Sequence, residues 1–118
     1  MPHITLEYTD NLVHKLNVTA FFADLHRALG EFEGIVVADL KSRALCHERY
    51  FFGDPKAVSA FAHLELKLLS GRDISVRRRL VDIGLKILGD HLDPVGPPGP
   101  CPLSVEVREM DRGTYSKG

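Results

Sequence analysis

The sequence of 118 residues predicts an α/β (α+β) domain, in which a duplicated strand-helix-strand unit forms a four-stranded sheet with two helices on one face. Three observations carry this prediction. Short stretches alternate polar and apolar residues with period two, as in His3-Ile4-Thr5-Leu6-Glu7-Tyr8 and His63-Leu64-Glu65-Leu66-Lys67-Leu68. Each is followed by apolar residues at helical spacing. The halves also echo one another sixty residues apart: His3-Ile4-Thr5-Leu6 aligns with His63-Leu64-Glu65-Leu66, and Phe21 and Leu25 align with Val81 and Leu85. Right-handed crossovers place both helices on the same face of the sheet, so the other face needs a separate cover. Oligomerisation is the economical one.

The elements follow in order. Pro2 to Tyr8 is the first strand, and Val18, Phe21, Phe22, Leu25 and Leu29 mark a helix that stops at Gly30. A long extended stretch is expected from Ile35 towards Phe52, ended by the turn residues Gly53-Asp54-Pro55. Phe61 to Leu69 alternates again, and Ser70-Gly71-Arg72-Asp73 leads into a second helix. That helix carries Val76, Leu80, Ile83 and Ile87 on one stripe with Val81, Leu85, Leu88 and Leu92 beside it, a width that predicts burial on more than one side. The segment from Asp93 to Pro102 holds five prolines and two glycines and reads as a stiff connector. Leu103 to Glu109 is a final strand, and Gly113 to Gly118 is expected to be a loose tail.

Composition narrows the function classes. The length suits one domain spanning 1–118, and 44% hydrophobic residues suffice for a core. Fifteen basic against sixteen acidic residues, a net charge of -1, argue against a nucleic-acid or anionic-membrane partner. No basic segment followed by an apolar one opens the chain, and no run approaches the ~18 apolar residues of a span. A soluble cytoplasmic protein is expected. Cys46 and Cys101 lack metal-binding spacing and read as reduced thiols.

Few residues could do chemistry. Methionine is normally trimmed before a residue as small as proline, so Pro2 would begin the mature chain as a secondary amine able to act as a base; on its own it reads more simply as a tolerated second residue. In the middle strand Lys41, Arg43, Leu45 and His47 share one face, and Leu40, Ser42, Ala44 and Cys46 the other. Arg72 adds a third cation at a helix start, where anions are already favoured. Arginine recognises carboxylates in bidentate fashion, so Arg43 and Arg72 with Lys41 could hold a dicarboxylate. The same spacing also describes a solvated strand face and an ordinary arginine opening a helix. Arg77-Arg78-Arg79 spreads over about 200° of a helix and reads as surface. His3 and His63 read as packing or hydrogen-bonding groups on strands; the histidines lack ligand spacing, so no metal is expected. Nothing surrounds Ser42, Ser70 or Cys46 that would activate a nucleophile.

Taken together, Met1-Pro2-His3 with Glu7 and Asp10-Asn11, Leu40-Lys41-Ser42-Arg43, Phe61-Ala62-His63 running to Leu66-Lys67, and Ser70-Gly71-Arg72 followed by Arg77 resemble the 5-carboxymethyl-2-hydroxymuconate isomerase family of the tautomerase superfamily. The resemblance implies a homotrimer whose sheets face a central barrel, with active sites near subunit boundaries. It implies cofactor-free keto-enol isomerisation of an unsaturated hydroxy-dicarboxylate or tricarboxylate from aromatic catabolism. Pro2 would shuttle the proton, while Arg43 or its neighbour Lys41 and Arg72 hold carboxylates and polarise the 2-keto oxygen. An ordinary α-amine titrates near ~7.7 to 8.0, and apolar burial beside arginines favours its uncharged form. Three features depart from the family pattern: Lys41 stands where the family has arginine, no tryptophan follows Arg43, and the proline-rich connector is longer. A tautomerase, hydratase or decarboxylase acting on another keto/enol acid, or a non-catalytic trimeric binding domain, is the alternative.

Overall fold

The computed structural model describes residues 2–92 and 99–118. Four strands, β1 (His3–Thr9), β2 (Lys41–His47), β3 (Ala62–Leu69) and β4 (Leu103–Met110), form a sheet in the order β2-β1-β3-β4. β1 runs parallel to β2, β3 parallel to β4, and the two central strands are antiparallel. The helices are α1 (Val18–Leu29) and α2 (Ile74–Leu92). The duplicated unit is thus present: His3 pairs with Lys41 on β2, and sixty residues on His63 pairs with Ser104 on β4.

Period-two alternation decides which face is buried. Ile4, Leu6, Leu64 and Leu66 are at most 1% exposed and lie with Phe21, Leu25, Leu80 and Leu88 in one core between sheet and helices. Burying each such side chain is worth about 1.5–3 kcal/mol. The opposite face is polar and partly self-neutralised, with His47 against Glu7, His63 against Glu106, and Arg108 against Glu65 and Glu106.

Helix boundaries have local causes. The Asn17 side chain accepts a hydrogen bond from the Ala20 N–H at 3.0 Å and caps α1. Gly30 does follow α1, but at φ -64 it has no left-handed turn to make. Its smallness serves packing instead: a Cβ there would lie 2.5 Å from Val37 Cγ2.

Several expectations need correction. The extended stretch is shorter than predicted, because a 3-10 turn at Val37–Asp39 precedes β2 and the chain leaves the sheet after His47. Beyond it Tyr50, Phe52 and Phe61 pack on one another, with ring centroids 5.5 and 6.4 Å apart, so the aromatic run forms a small cluster rather than a strand. In α2 the fully buried stripe is Leu80, Gly84, Leu88 and Leu92, whereas Leu85 is 42% exposed. The helix therefore buries one side, and its phase matches α1 at a spacing of fifty-nine residues, one less than the strands. The final segment is not loose throughout: a 3-10 turn spans Arg112–Thr114, and the Tyr115 hydroxyl meets His3 Nε2 at 3.1 Å. Of the predicted connector, 93–98 lies outside the described residues. Its far end is held where the Pro100 carbonyl accepts from Ser59 N–H at 2.8 Å.

Candidate active site

Antiparallel pairing of β1 and β3 brings the start of the first strand against the end of the third. Pro2 is buried there, and its carbonyl accepts from the Lys41 N–H at 3.3 Å, tying the chain start to β2. Beside it opens a cavity of about 240 Å³ lined by Pro2, Gly34, Asp39, Leu68, Leu69, Arg72 and Arg112. Two of the predicted residues, Pro2 and Arg72, thus share one cavity.

The turn after β3 owes its shape to glycine. Gly71 sits at φ +126, a conformation that residues with a side chain rarely adopt, in the turn that brings Arg72 to the cavity Pro2 lines. Glu109 and Arg77 hold the turn: the Gly71 N–H donates to Glu109 Oε2 at 3.2 Å, Arg77 Nη1 lies 3.4 Å from Glu109 Oε1, and Arg77 Nε donates to the Arg72 carbonyl at 3.1 Å. Arg77 is therefore half-buried structure, unlike the surface group predicted. Its neighbours do face outwards, Arg78 towards Asp82 at 3.8 Å and Arg79 over the Phe32 ring at 5.0 Å. Gly34, at φ +80, lies on the far side of Arg72, where a Cβ would come within 3.3 Å of Nη2.

Arg112 and Gly34 were missed in the sequence. Arg112 enters from the turn after β4, its Nε donating to the Ser70 carbonyl at 2.5 Å. The one signal for it is Asp111-Arg112-Gly113, in which the Asp111 carboxylate accepts from the Gly113 N–H at 2.8 Å and shapes the turn. Among the described residues neither Arg72 nor Arg112 forms an ion pair with a carboxylate. Two guanidinium groups and one carboxylate, Asp39, thus line the cavity, which suits an anion.

Lys41 and Arg43 do not line this cavity within the chain. Both are exposed on the polar sheet face, where Lys41 Nζ donates to the Asp39 carbonyl at 3.2 Å and Arg43 Nη2 donates to His3 Nδ1 at 2.8 Å. Because a guanidinium can only donate, Nδ1 must be the acceptor and His3 is neutral with its proton on Nε2, facing Tyr115. Burial, then the nearby Arg43 and Lys41 charges, hold the His3 pKa below its ordinary 6.5. His63 differs, its two nitrogens meeting Ser104 Oγ and Glu106 Oε2 at 2.6 Å each.

Comparison with known proteins establishes the family. The family model for 5-carboxymethyl-2-hydroxymuconate isomerase matches residues 2–118. The chain belongs to that family. A 5-carboxymethyl-2-hydroxymuconate Delta-isomerase of Escherichia coli is 23% identical over 110 residues, covering 93% of this chain and 87% of that protein. The crystal structure of a 5-carboxymethyl-2-hydroxymuconate isomerase from Deinococcus radiodurans R1 superposes with a TM-score of 0.84 at 28% identity, covering 99% of this chain and 88% of the other. A fused 4-OT wild-type symmetric trimer shares the fold at a TM-score of 0.73 and 13% identity, covering 98% and 90%. Membership of the 5-carboxymethyl-2-hydroxymuconate isomerase family makes the protein an enzyme of the isomerase class with a tautomerase fold. Among the described residues no helix is long and apolar enough to cross a membrane.

Proposed function

We propose that the protein converts a 2-hydroxymuconate-type unsaturated acid, similar to 5-carboxymethyl-2-hydroxymuconate, to its keto isomer by proton transfer through the Pro2 nitrogen, without a cofactor. The observation that carries this reading is that Pro2 and Arg72 line one cavity. Once Met1 is removed, Pro2 presents a secondary amine whose surroundings, buried and near two guanidinium groups, disfavour its charged form. The amine takes the proton from the 2-hydroxyl, the C2–O bond becomes a carbonyl, the double bonds shift, and the ammonium returns the proton to carbon. Atoms and charge balance with no other reactant.

Arg72 acts where charge develops. Its guanidinium stabilises the dienolate oxygen and holds the adjacent carboxylate, and an interaction that strengthens as the oxygen gains charge lowers the barrier as well as binding the ground state. Lys41 and Arg43 supply further carboxylate contacts from the sheet face, within a homotrimer. Two features support that assembly: the fused 4-OT structure that shares the fold is a symmetric trimer, and Phe51 is 95% exposed, a large apolar side chain left without cover within one chain. The cytoplasm, as part of aromatic-acid breakdown, is the proposed setting, in keeping with free Cys46 and Cys101.

The test is ultraviolet-detected ketonisation of 2-hydroxymuconate. The wild-type protein should accelerate it, and Arg72→Ala should lower kcat/KM by about a hundredfold, the usual loss of one charge-stabilising donor. Undiminished turnover in Arg72→Ala refutes the assignment.

A further inference from the structure

Arg112 adds charge beside Pro2, yet the proposed reaction gives it no contact with the ligand. It arrives from the turn after β4, forty residues beyond Arg72, yet both side chains reach the same 240 Å³ cavity. The turn that delivers it is firmly built: the Ser70 N–H donates to the Met110 carbonyl at 2.9 Å, Asp111 caps Gly113, and Arg112 Nε donates to the Ser70 carbonyl. The side chain packs close to Gly71, whose backbone at φ +126 shapes the turn: a Cβ there would stand in ordinary contact with Arg112 Nε and Nη2, 3.6 and 3.7 Å away. The bond to Ser70 uses the Nε–H and ties the guanidinium to the Ser70 turn. Its two terminal nitrogens, with four N–H groups, form no ion pair among the described residues.

We propose that Arg112 is a specificity-determining anchor of the Pro2 cavity, binding a second carboxylate of the ligand while Arg72 binds the one beside the reacting carbon. The proposal rests on the reading of this cavity as the active site and goes beyond it by naming what selects a dicarboxylate within one chain. Arg72 follows Ser70 and Gly71 directly in the chain, whereas Arg112 reaches them from the turn after β4, so two separate elements bring guanidinium groups to one cavity. A molecule with carboxylates at both ends satisfies both guanidinium groups. One with a single carboxylate leaves Arg112 to water.

Muconate and sorbate separate these cases, because they share a six-carbon diene skeleton and differ in that sorbate carries a methyl group where muconate has its second carboxylate. Neither has an enol to isomerise, so calorimetric binding reports on the cavity independently of turnover. The wild-type protein should bind muconate about tenfold or more tightly than sorbate, in line with a charge-assisted hydrogen bond. Arg112→Met should abolish most of that preference by weakening muconate alone, and Arg112→Lys should restore part of it. If Arg112 merely braces the Ser70 turn, Arg112→Met weakens both acids alike and lowers the thermal midpoint, which overturns the proposal. An unchanged muconate preference in Arg112→Met overturns it too. Should the wild-type protein lack ketonisation activity yet show the Arg112-dependent preference, the isomerase reading fails and the anchor stands.

Discussion

The two ends of the central strand pair are equivalent by the internal repeat and opposite in character. Where β1 begins and β3 ends, Pro2, Leu68, Leu69, Arg72 and Arg112 surround a cavity. Where β3 begins and β1 ends, Leu12 stands at the position equivalent to Arg72, sixty residues earlier, and it is fully buried with Thr9, Ala60 and Ala62. Polar groups at this closed end satisfy one another: Thr9 Oγ1 donates to Asn11 Oδ1 at 2.7 Å, Asn11 Nδ2 donates to the Ser59 carbonyl at 2.8 Å, and Thr9 Oγ1 accepts from the Phe61 N–H at 3.2 Å. Duplication therefore supplies two similar frames, and the side chains decide which becomes a site. An arginine at one end keeps a polar cavity open, whereas a leucine at the other completes the core.

The sharpest way to break this comparison is to exchange the roles of Arg72 and Leu12. Arg72→Ala should cost about a hundredfold in kcat/KM while leaving thermal unfolding nearly unchanged. Leu12→Ala should cost about 2–5 kcal/mol of stability, read by denaturant unfolding, with activity retained in the folded fraction. A stable but inactive Leu12→Ala protein contradicts the division.

Next in size is the contrast between the helices. Gly84 of α2 occupies the buried position that Leu25 fills in α1, so α2 lies close to the sheet, and a Cβ at Gly84 would meet Val105 Cγ1 at 3.2 Å and Leu64 Cδ2 at 3.3 Å. Gly84→Ala should destabilise by about 1–3 kcal/mol through overpacking. Gly89→Ala, which would meet nothing within 4 Å, should stabilise by about 0.5–1 kcal/mol because alanine suits a helix better. Equal signs for the two in thermal melts refute this account of the packing.

Gly34→Ala should cost about 1–2 kcal/mol, since φ +80 is left-handed, and should also displace Arg72 and reduce kcat/KM. Unaltered kinetics shows that Gly34 does not set the Arg72 position.

The smallest effect concerns pH. His3 and His26 have folded-state pKa values below their ordinary 6.5, both chiefly through burial. The unfolded chain therefore binds protons more readily than the folded one. Their contribution to stability is complete above about pH 6.5 and is lost as pH falls through the lowered folded values. Glu106, lowered first by His63 and then by Arg108, adds a loss of the same sign at more acidic pH. Thermal midpoints that rise between pH 7 and pH 5 contradict this.

How much of this was legible depended on the period of each element. β1 and β3 were plain because polar His3, Thr5 and Glu7 alternate with buried Ile4, Leu6 and Tyr8, whereas their antiparallel register is set only in the folded sheet. The phase of α2 was obscured by apolar residues on several sides, and one of its buried positions packed against the sheet is Gly84, which carries no hydrophobic signal. Tyr50, Phe51 and Phe52 read as strand, since aromatic residues suit both a strand and a packed cluster. Pro2 and Arg72 could be named from the sequence because motif and resemblance both marked them. Arg112 and Gly34 could not, because their roles exist only where distant turns meet.

The central claim is that a free Pro2 nitrogen moves the proton inside the cavity that Arg72 lines. Its most direct test compares the ketonisation rate of protein beginning at Pro2, verified by intact mass, with that of the same protein carrying one residue before it, which turns the amine into an amide without basicity. The account predicts a loss of about a hundredfold or more in kcat with an unchanged thermal midpoint, the scale of one acid-base group. Equal kcat in the two proteins contradicts it.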